Sequence, residues 1–553
     1  LAMGNHETIV LLFPALAWLF LRPRLFTAAQ VFRALGFFIF GCSVFLFLPV
    51  RSLAGPMYTW GDPLSITGLL RMVTRADYGG MRLHPEQSTF HWTAPLVAQH
   101  LYLYGKSLVQ QFTVAGVLLG VLGLILKRKD RYFQFLAVTL LLAGPGFIIL
   151  SNLPPAEKTT LPILESHLVL ANVVFALFIA AGAQKISMYR IGRALVPACV
   201  LVSCAAALPL CSYRSQFVAY DYGRHLLQTV GKGGFLFNPD DPTAFITSYL
   251  TTVEHKRSDI RLVAYYRTRW GYELLRKKYP EILPQRDITS GQELERVLLE
   301  YNRERFPIYA ELPAKFPEGF ESHPNGLLYR LSGSSSAEAA PSLFSLYALR
   351  DSSRSEYDFF TNQVISYYAA AHSNTGLALA GKKDLDGAGR EYLLALSIDP
   401  SLNAACNNLG TLEFMRGNYQ LAGKWFEKAV KNDPANPSAL YNLGLAYKAQ
   451  KMNEPAEQLF RRAWEESAYP DAGNELGLLA LGLGRTQEAA GIFQGIVTRY
   501  PHYLLAYYNL GLALEKAGRY AESRRCFQYY LSAVSDPRER QEVLAVLKRL
   551  PEQ

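Results

Sequence analysis

The sequence predicts a polytopic α-helical membrane domain, followed by a small α/β domain and an α-solenoid. Three observations carry that prediction. Apolar runs of bilayer-crossing length crowd the first 212 residues, short apolar runs alternate with amphipathic stretches from 213 to 331, and a glycine recurs every 33 or 34 residues from Gly376 onward. With 553 residues, half of them hydrophobic, the chain is too long for one core. The expected boundaries are a membrane domain at 1–212, an extracytoplasmic α/β domain at 213–331, a linker at 332–355, and a repeat array with a capping helix at 356–553.

Six apolar runs are long enough, or nearly so, to span a bilayer: roughly 3–21, 31–50, 112–126, 132–151, 166–184 and 194–212. The third is short unless it begins near Leu108. Arg22, Arg24 and Arg33 join the first pair, Lys127, Arg128, Lys129 and Arg131 the third and fourth, and Lys185, Arg190 and Arg193 the last two. If every run spans, these basic loops share one side, which the positive-inside rule makes the cytoplasm. Residues 51–111, 152–165 and everything after 212 then lie outside it. The expectation is a multi-pass protein of the inner membrane with periplasmic C-terminal domains. Residues 89–111, with His91, Trp92, His100, Tyr102 and Tyr104, read as an interfacial amphipathic segment. His91 and His100 have no carboxylate or thiol at ligand spacing, and the six cysteines form no metal or disulfide pattern. The net charge of +10 comes without a basic stripe or nucleic-acid motif, so no nucleic-acid partner is expected.

The stretch richest in chemistry runs from Phe45 to Gly80. An apolar run ends at Leu48-Pro49, Arg51 follows, then Trp60-Gly61-Asp62-Pro63, Arg75 and Asp77-Tyr78-Gly79. Arginine grips phosphate through two oxygens at once, and Trp and Tyr favour the same interfacial depth. The same residues also serve as an interfacial anchor, with snorkelling arginines and a Gly-Asp-Pro turn.

Leu48 to Ser52, Trp60 to Pro63, Arg75 and Tyr78-Gly79 resemble the central motif of a family of polytopic GT-C-type protein O-mannosyltransferases, those similar to the vertebrate transmembrane enzyme that modifies plexin-type receptors. Gly4-Asn5-His6 with Thr8 resembles that family's Gly-x-Asn-His-x-Thr helix start, and Glu165 its Glu-Arg-Phe block. Here that block reads Glu165-Ser166-His167, and Met72 stands where the family often has His; both are departures. The resemblance spans about residues 1–330 and implies a polyprenyl-phosphate sugar as co-substrate, with mannose expected, and Ser or Thr of an exported protein as acceptor. It implies donor-phosphate contacts from Arg51 and Arg75, and a donor or sugar site lined by Asn5, His6, Trp60, Tyr78 and Glu165. No metal or further cofactor is expected. The chemistry needs a carboxylate base, usually an Asp of the first outer loop. The chain begins at Leu1, almost inside its first apolar run, so a fragment lacking that loop is expected, with Asp62 as the substitute candidate.

In the middle domain, strands are expected at Gly234–Phe237, Ile260–Tyr265, Pro307–Glu311 and Leu327–Leu331, and helices at Trp270–Lys278 and Gln292–Asn302. Thr243 is expected to cap the helix after the Asn238 to Pro242 turn. Asp240-Asp241 looks like the same family's Asn-Gly-Asp-Asn block, with substrate binding, cation binding or a solvated turn as its open roles.

Gly376, Gly410, Gly444, Gly477 and Gly511 are spaced by 34, 34, 33 and 34 residues. Twelve residues after each stand Ala388, Ala422, Ala456, Ala489 and Ser523, and four further on Tyr392, Phe426, Phe460, Phe493 and Phe527. This is the tetratricopeptide pattern. Residues 538–550 read as its capping helix. Three positions before each glycine stand Ser373, Asn407, Tyr441, Asn474 and Tyr508. On the concave wall of such an array, Asn and Tyr suit an extended peptide or a glycan. The expected partners are therefore a lipid-linked sugar, the membrane, and an acceptor or partner protein. A rival reading is a non-catalytic, membrane-anchored scaffold for an envelope or polysaccharide-export assembly, although six spans exceed what anchoring needs. A transporter would call for inverted repeats or broken helix pairs, and the sequence displays neither.

Overall fold

The computed structural model describes residues 93–151, 160–165, 167–211, 217–237, 239–267, 269–284, 291–311, 319–331 and 359–551, with short pieces elsewhere such as the helix Ile66–Val73. The chain divides into two compact units. One comprises Leu1–Phe217, Arg261–Asn302 and Arg350–Phe359, the other Val218–Ile260, Arg303–Leu349 and Phe360–Gln553.

The membrane part of the first unit contains α1 (Ala94–Lys127), α2 (Arg131–Leu141), α3 (Thr160–Glu165), α4 (Val169–Ile186) and α5 (Arg190–Cys211). A π-helical turn at Leu142–Gly146, built around Pro145, carries α2 on into Phe147–Ser151. Among the described residues, Ala94–Lys127, Arg131–Ser151 and Val169–Ile186 are long and apolar enough to cross a membrane. They match the third, fourth and fifth expected spans, and α5 covers the sixth; the first two lie outside the described residues. The third span and the amphipathic segment before it are two helical segments that meet at a kink, close to the expected division at 111 and 112. Thr93 accepts from the Leu96 N–H and starts the first helical segment of α1 ahead of Pro95. The only break is at Thr113, whose φ of 60° and ψ of 169° interrupt the helix inside α1.

Small residues bring α1 and α4 together. A Cβ on Gly123 would lie 1.9 Å from the Phe178 carbonyl oxygen, and one on Gly182 2.1 Å from that of Leu119. Backbones this close need glycine on both helices, the usual way for helices to associate where lipid removes the hydrophobic incentive. Phe175, Phe178, Ile148, Leu164 and Leu168 fill the surrounding core.

From 218 to 331 the chain forms α6 (Val218–Thr229), β1 (Phe235–Phe237), α7 (Asp241–Thr252), β2 (Arg261–Val263), α8 (Arg269–Lys278), α9 (Gly291–Asn302), β3 (Ile308–Glu311), β4 (Ser322–Asn325) and β5 (Leu328–Leu331). β2, α8 and α9 belong to the first unit and the rest to the second. In the second unit β1 runs parallel to β3, which pairs antiparallel with β5, and β5 with β4. Every residue of β1 and β3 is buried, as parallel strands covered on both faces are. β4 was not expected: Ser322-His323-Pro324-Asn325 shows no apolar alternation and pairs only through its hairpin to β5. Asp240, not Thr243, caps α7; its Oδ1 accepts the Thr243 N–H at 3.0 Å, because the capping side chain sits before the first turn and Thr243 inside it.

Five helix pairs follow. They are α10 (Phe359–Gly381) with α11 (Leu385–Ile398), α12 (Asn403–Met415) with α13 (Tyr419–Asn432), α14 (Pro437–Ala449) with α15 (Asn453–Ser467), α16 (Pro470–Gly482) with α17 (Thr486–Arg499), and α18 (Leu504–Lys516) with α19 (Tyr520–Ala533). The period has a direct steric cause. A Cβ on Gly444 would stand 2.5 Å from the Phe460 ring, and the other four glycines meet the aromatic of their own second helix in the same way. The last helix, α20 (Pro537–Arg549), supplies Val543, which closes over Phe527 together with Leu550.

Candidate functional site

Of the residues expected to bind the donor, Asn5, His6, Arg51, Trp60, Asp62, Arg75 and Tyr78 lie outside the described residues. Glu165 is described. It ends α3, and its Oε1 accepts the Ser107 hydroxyl at 3.0 Å. Ser107 in turn accepts from Gln111 Nε2 at 3.3 Å, and Gln111 Oε1 from Asn172 Nδ2 at 2.5 Å. A polar chain therefore links α1, α3 and α4, part-buried from Glu165 to Gln111 and exposed where Gln111 meets Asn172. His100 continues it toward the helix start, its Nε2 donating to the Leu153 carbonyl at 2.8 Å. Ring stacking places His167 on Phe147, with centroids 5.5 Å apart.

Ser107, Gln111 and Asn172 were not singled out from the sequence. The available signal was the spacing His100, Tyr104, Ser107, Gln111, which puts four polar side chains on one face of a helix. Its first three members are inward, His100 and Ser107 at 1 % exposure each and Tyr104 at 9 %, whereas Gln111 is exposed.

A second buried cluster occupies the second unit. Glu311, at the C-terminal end of β3, accepts the Asp240 N–H at 2.6 Å on Oε2, and on Oε1 the hydroxyls of Thr243 and, at 3.1 Å, Tyr222. Asp240 Oδ2 accepts the Tyr367 hydroxyl from α10. Burial, and then the negative charge of Asp240, push the Glu311 carboxyl up to about 8. Alongside, His225 Nδ1 lies 2.6 Å from the Tyr368 hydroxyl, and burial pushes its imidazole down to about 4. Both Asp240 carboxyl oxygens are thus engaged in capping α7 and holding Tyr367. Among the described residues no group of three or more His, Cys, Asp or Glu is placed to hold a metal ion.

In the array, Asn407 Oδ1 accepts from Asn442 Nδ2 at 2.8 Å, and Asn474 Oδ1 from Asn509 Nδ2 at 2.7 Å, each bond tying adjacent repeats. Asn474 is only 3 % exposed. Tyr441 packs on Phe460 and Tyr469, and Tyr508 on Phe527 and Tyr530. Asn442 and Asn509 are additions to the expected set. They belong to the next column along, two residues before each glycine, which reads Asn374, Asn408, Asn442, Glu475 and Asn509.

Residues 474–537 and 438–472 match family descriptions of the tetratricopeptide repeat, and 410–451 that of the TPR repeat. The C-terminal region therefore consists of tetratricopeptide repeats. The protein O-mannosyl-transferase tmem260 of Dictyostelium discoideum is 21% identical over 366 residues, 58% of this chain and 44% of its own length. A probable UDP-N-acetylglucosamine–peptide N-acetylglucosaminyltransferase SPINDLY of Hordeum vulgare is 33% identical over 111 residues, 19% of this chain and 12% of its own. The chain thus spans less than half the length of either curated relative. Among solved structures, MamA is 28% identical, with a TM-score of 0.27 over 31% of this chain and 96% of that one. PilF of Pseudomonas aeruginosa is 21% identical, with a TM-score of 0.29 over 32% and 88%.

Proposed function

We propose that this protein is a membrane glycosyltransferase that moves a sugar, with mannose expected, from a polyprenyl-phosphate donor to Ser or Thr of exported proteins. The observation that carries the reading is a carboxyl-bearing polar chain between membrane-length helices, in a sequence similar to a protein O-mannosyl-transferase. The acceptor oxygen attacks the sugar's anomeric carbon while the bond from that carbon to the donor phosphate breaks. A base takes the hydroxyl proton, Asp62 being the candidate in this chain, and the phosphate leaves with its lipid. Arg51 and Arg75 neutralise the charge it gains. The repeats engage the acceptor or a partner protein.

The test is transfer of labelled sugar from polyprenyl phosphate to protein in membranes that contain the protein. Arg51→Ala should lower transfer at least tenfold with membrane insertion intact, and Arg51→Lys should restore part, since Lys cannot bond bidentately. Unchanged transfer in Arg51→Ala returns that residue to an interfacial anchor. Orientation is tested by cysteine labelling. Position 129 should label only in permeabilised cells, and position 350 once the outer barrier alone is opened. Absence of transfer with any lipid-linked sugar favours the scaffold reading.

A further inference from the structure

We propose that the polar face of α1, buried at Tyr104 and Ser107 and open at Gln111, forms with Glu165 and Asn172 a binding site for sugar hydroxyls. The proposal rests on the glycosyltransferase reading and deepens it by assigning Tyr104, Ser107, Gln111 and Asn172, to which nothing above gives a ligand.

The hydrogen bonds of the chain all run one way. Asn172 donates to Gln111, Gln111 to Ser107, and Ser107 to Glu165. Among the described residues the carboxyl end takes a single side-chain hydrogen bond in return. At the other end Asn172 Oδ1 is buried and accepts nothing. One turn of α1 before Ser107, the Tyr104 hydroxyl is also buried without a partner, on a side chain only 9 % exposed. Its position is fixed by the π-helical turn, since a Cβ on Gly144 would lie 2.5 Å from that hydroxyl. Polar residues that merely glue membrane helices together satisfy one another. Here two buried polar atoms stay unsatisfied, which costs stability, and both flank a chain ending in a carboxyl.

The unmet valences select the ligand. Asn172 Oδ1 and Glu165 need donors, while the Tyr104 hydroxyl takes either role. A phosphate offers acceptors and negative charge, so the Glu165 end rejects it. The hydroxyls of a sugar both donate and accept and carry no charge, so their chemistry suits each of the three groups. The face therefore holds the sugar of a lipid-linked donor and leaves its phosphate to cations.

The test uses the full chain in lipid nanodiscs, with farnesyl phosphate and farnesyl phosphates carrying mannose, glucose or N-acetylglucosamine as probes. At least one sugar should raise affinity tenfold or more over farnesyl phosphate alone. Asn172→Leu and Tyr104→Phe should each remove most of that gain and leave binding of farnesyl phosphate unchanged. Tyr104→Phe should also raise the melting temperature of the empty protein, because it deletes an unsatisfied hydroxyl; a gain in stability alongside a loss of sugar affinity is not what a packing role gives. No gain from any sugar, an unchanged gain in both variants, or equal losses for sugar-bearing and sugar-free probes would each overturn the proposal. Transfer activity with unaltered probe affinities in the variants overturns the site and leaves the enzyme standing. Sugar-selective binding without transfer to any acceptor keeps the site and sinks the enzyme.

Discussion

Glu165 in the first unit and Glu311 in the second both sit among hydroxyl-bearing side chains, and they differ in how fully they are met. Glu311 receives three hydrogen bonds, from the Asp240 N–H and the Thr243 and Tyr222 hydroxyls. Among the described residues Glu165 receives one, from Ser107, and its chain trails off into an Asn172 oxygen that accepts nothing. A saturated buried network locks elements in place, whereas an open one leaves work for a ligand. The contrast gives the Asp240–Glu311 pair an architectural role and leaves the Glu165 chain as the proposed site, where the sequence had marked only Asp240 and Glu165.

The largest expected effect probes the tight packing that both units depend on. Gly444→Leu forces a side chain into the Phe460 ring and should cost roughly 3 kcal/mol or more, at the upper end of overpacking. Gly423→Ala, where the nearest foreign atom is 3.5 Å away, should be tolerated. Hydrogen exchange across α14 and α15 reads the difference, and equal protection in the two variants would break the ring-for-Cβ account of the repeat.

Next come the two glutamates. Glu311→Ala strands an N–H and two hydroxyls and should cost about 2 to 3 kcal/mol. Glu165→Gln, which gives up little bonding, should leave thermal stability within about 1 kcal/mol while lowering sugar transfer. A Glu165 variant that melts as early as Glu311→Ala would erase the comparison.

A pH series sharpens it further. The Glu311 carboxyl stands near 8 in the fold against an ordinary 4.5, so the fold favours its protonated form. Its contribution is fully present below about 4.5 and is lost as pH rises through about 8. Stability of the second unit should therefore decline across that window, and Glu311→Gln should flatten the decline. A profile indifferent to Glu311→Gln would show that the carboxyl does not titrate between the two states. The smallest effect belongs to the ion pairs of α15 and α17. Glu457 meets both Arg461 and Arg485 on a half-open surface, so Glu457→Gln should shift the melting midpoint little, and not at all in molar salt. A large, salt-resistant shift would mean that the array leans on charge and not on its ring-to-glycine packing.

The sequence by itself determined the elements whose cause is local. Hydrophobic length marked the spans α1, α2 and α4, and the 34-residue recurrence marked the array, because one glycine and one aromatic must meet in every repeat whatever surrounds them. The strands of the middle region were legible to within two residues at each end, except β4, whose polar edge sequence carries no alternation. Only the tertiary structure decided which polar residues are partners. Ser107 and Glu165 stand 58 positions apart, Tyr222 and Glu311 stand 89 apart, and Asp240 meets Tyr367 across 127. No periodicity reports such pairings, since a hydrogen bond between distant segments leaves no spacing in the chain. It was likewise the fold that closed off Asp240 with Tyr367 and left Asn172 and Tyr104 open, because burial, which sets the cost of an unmet polar group, exists only once the helices have packed.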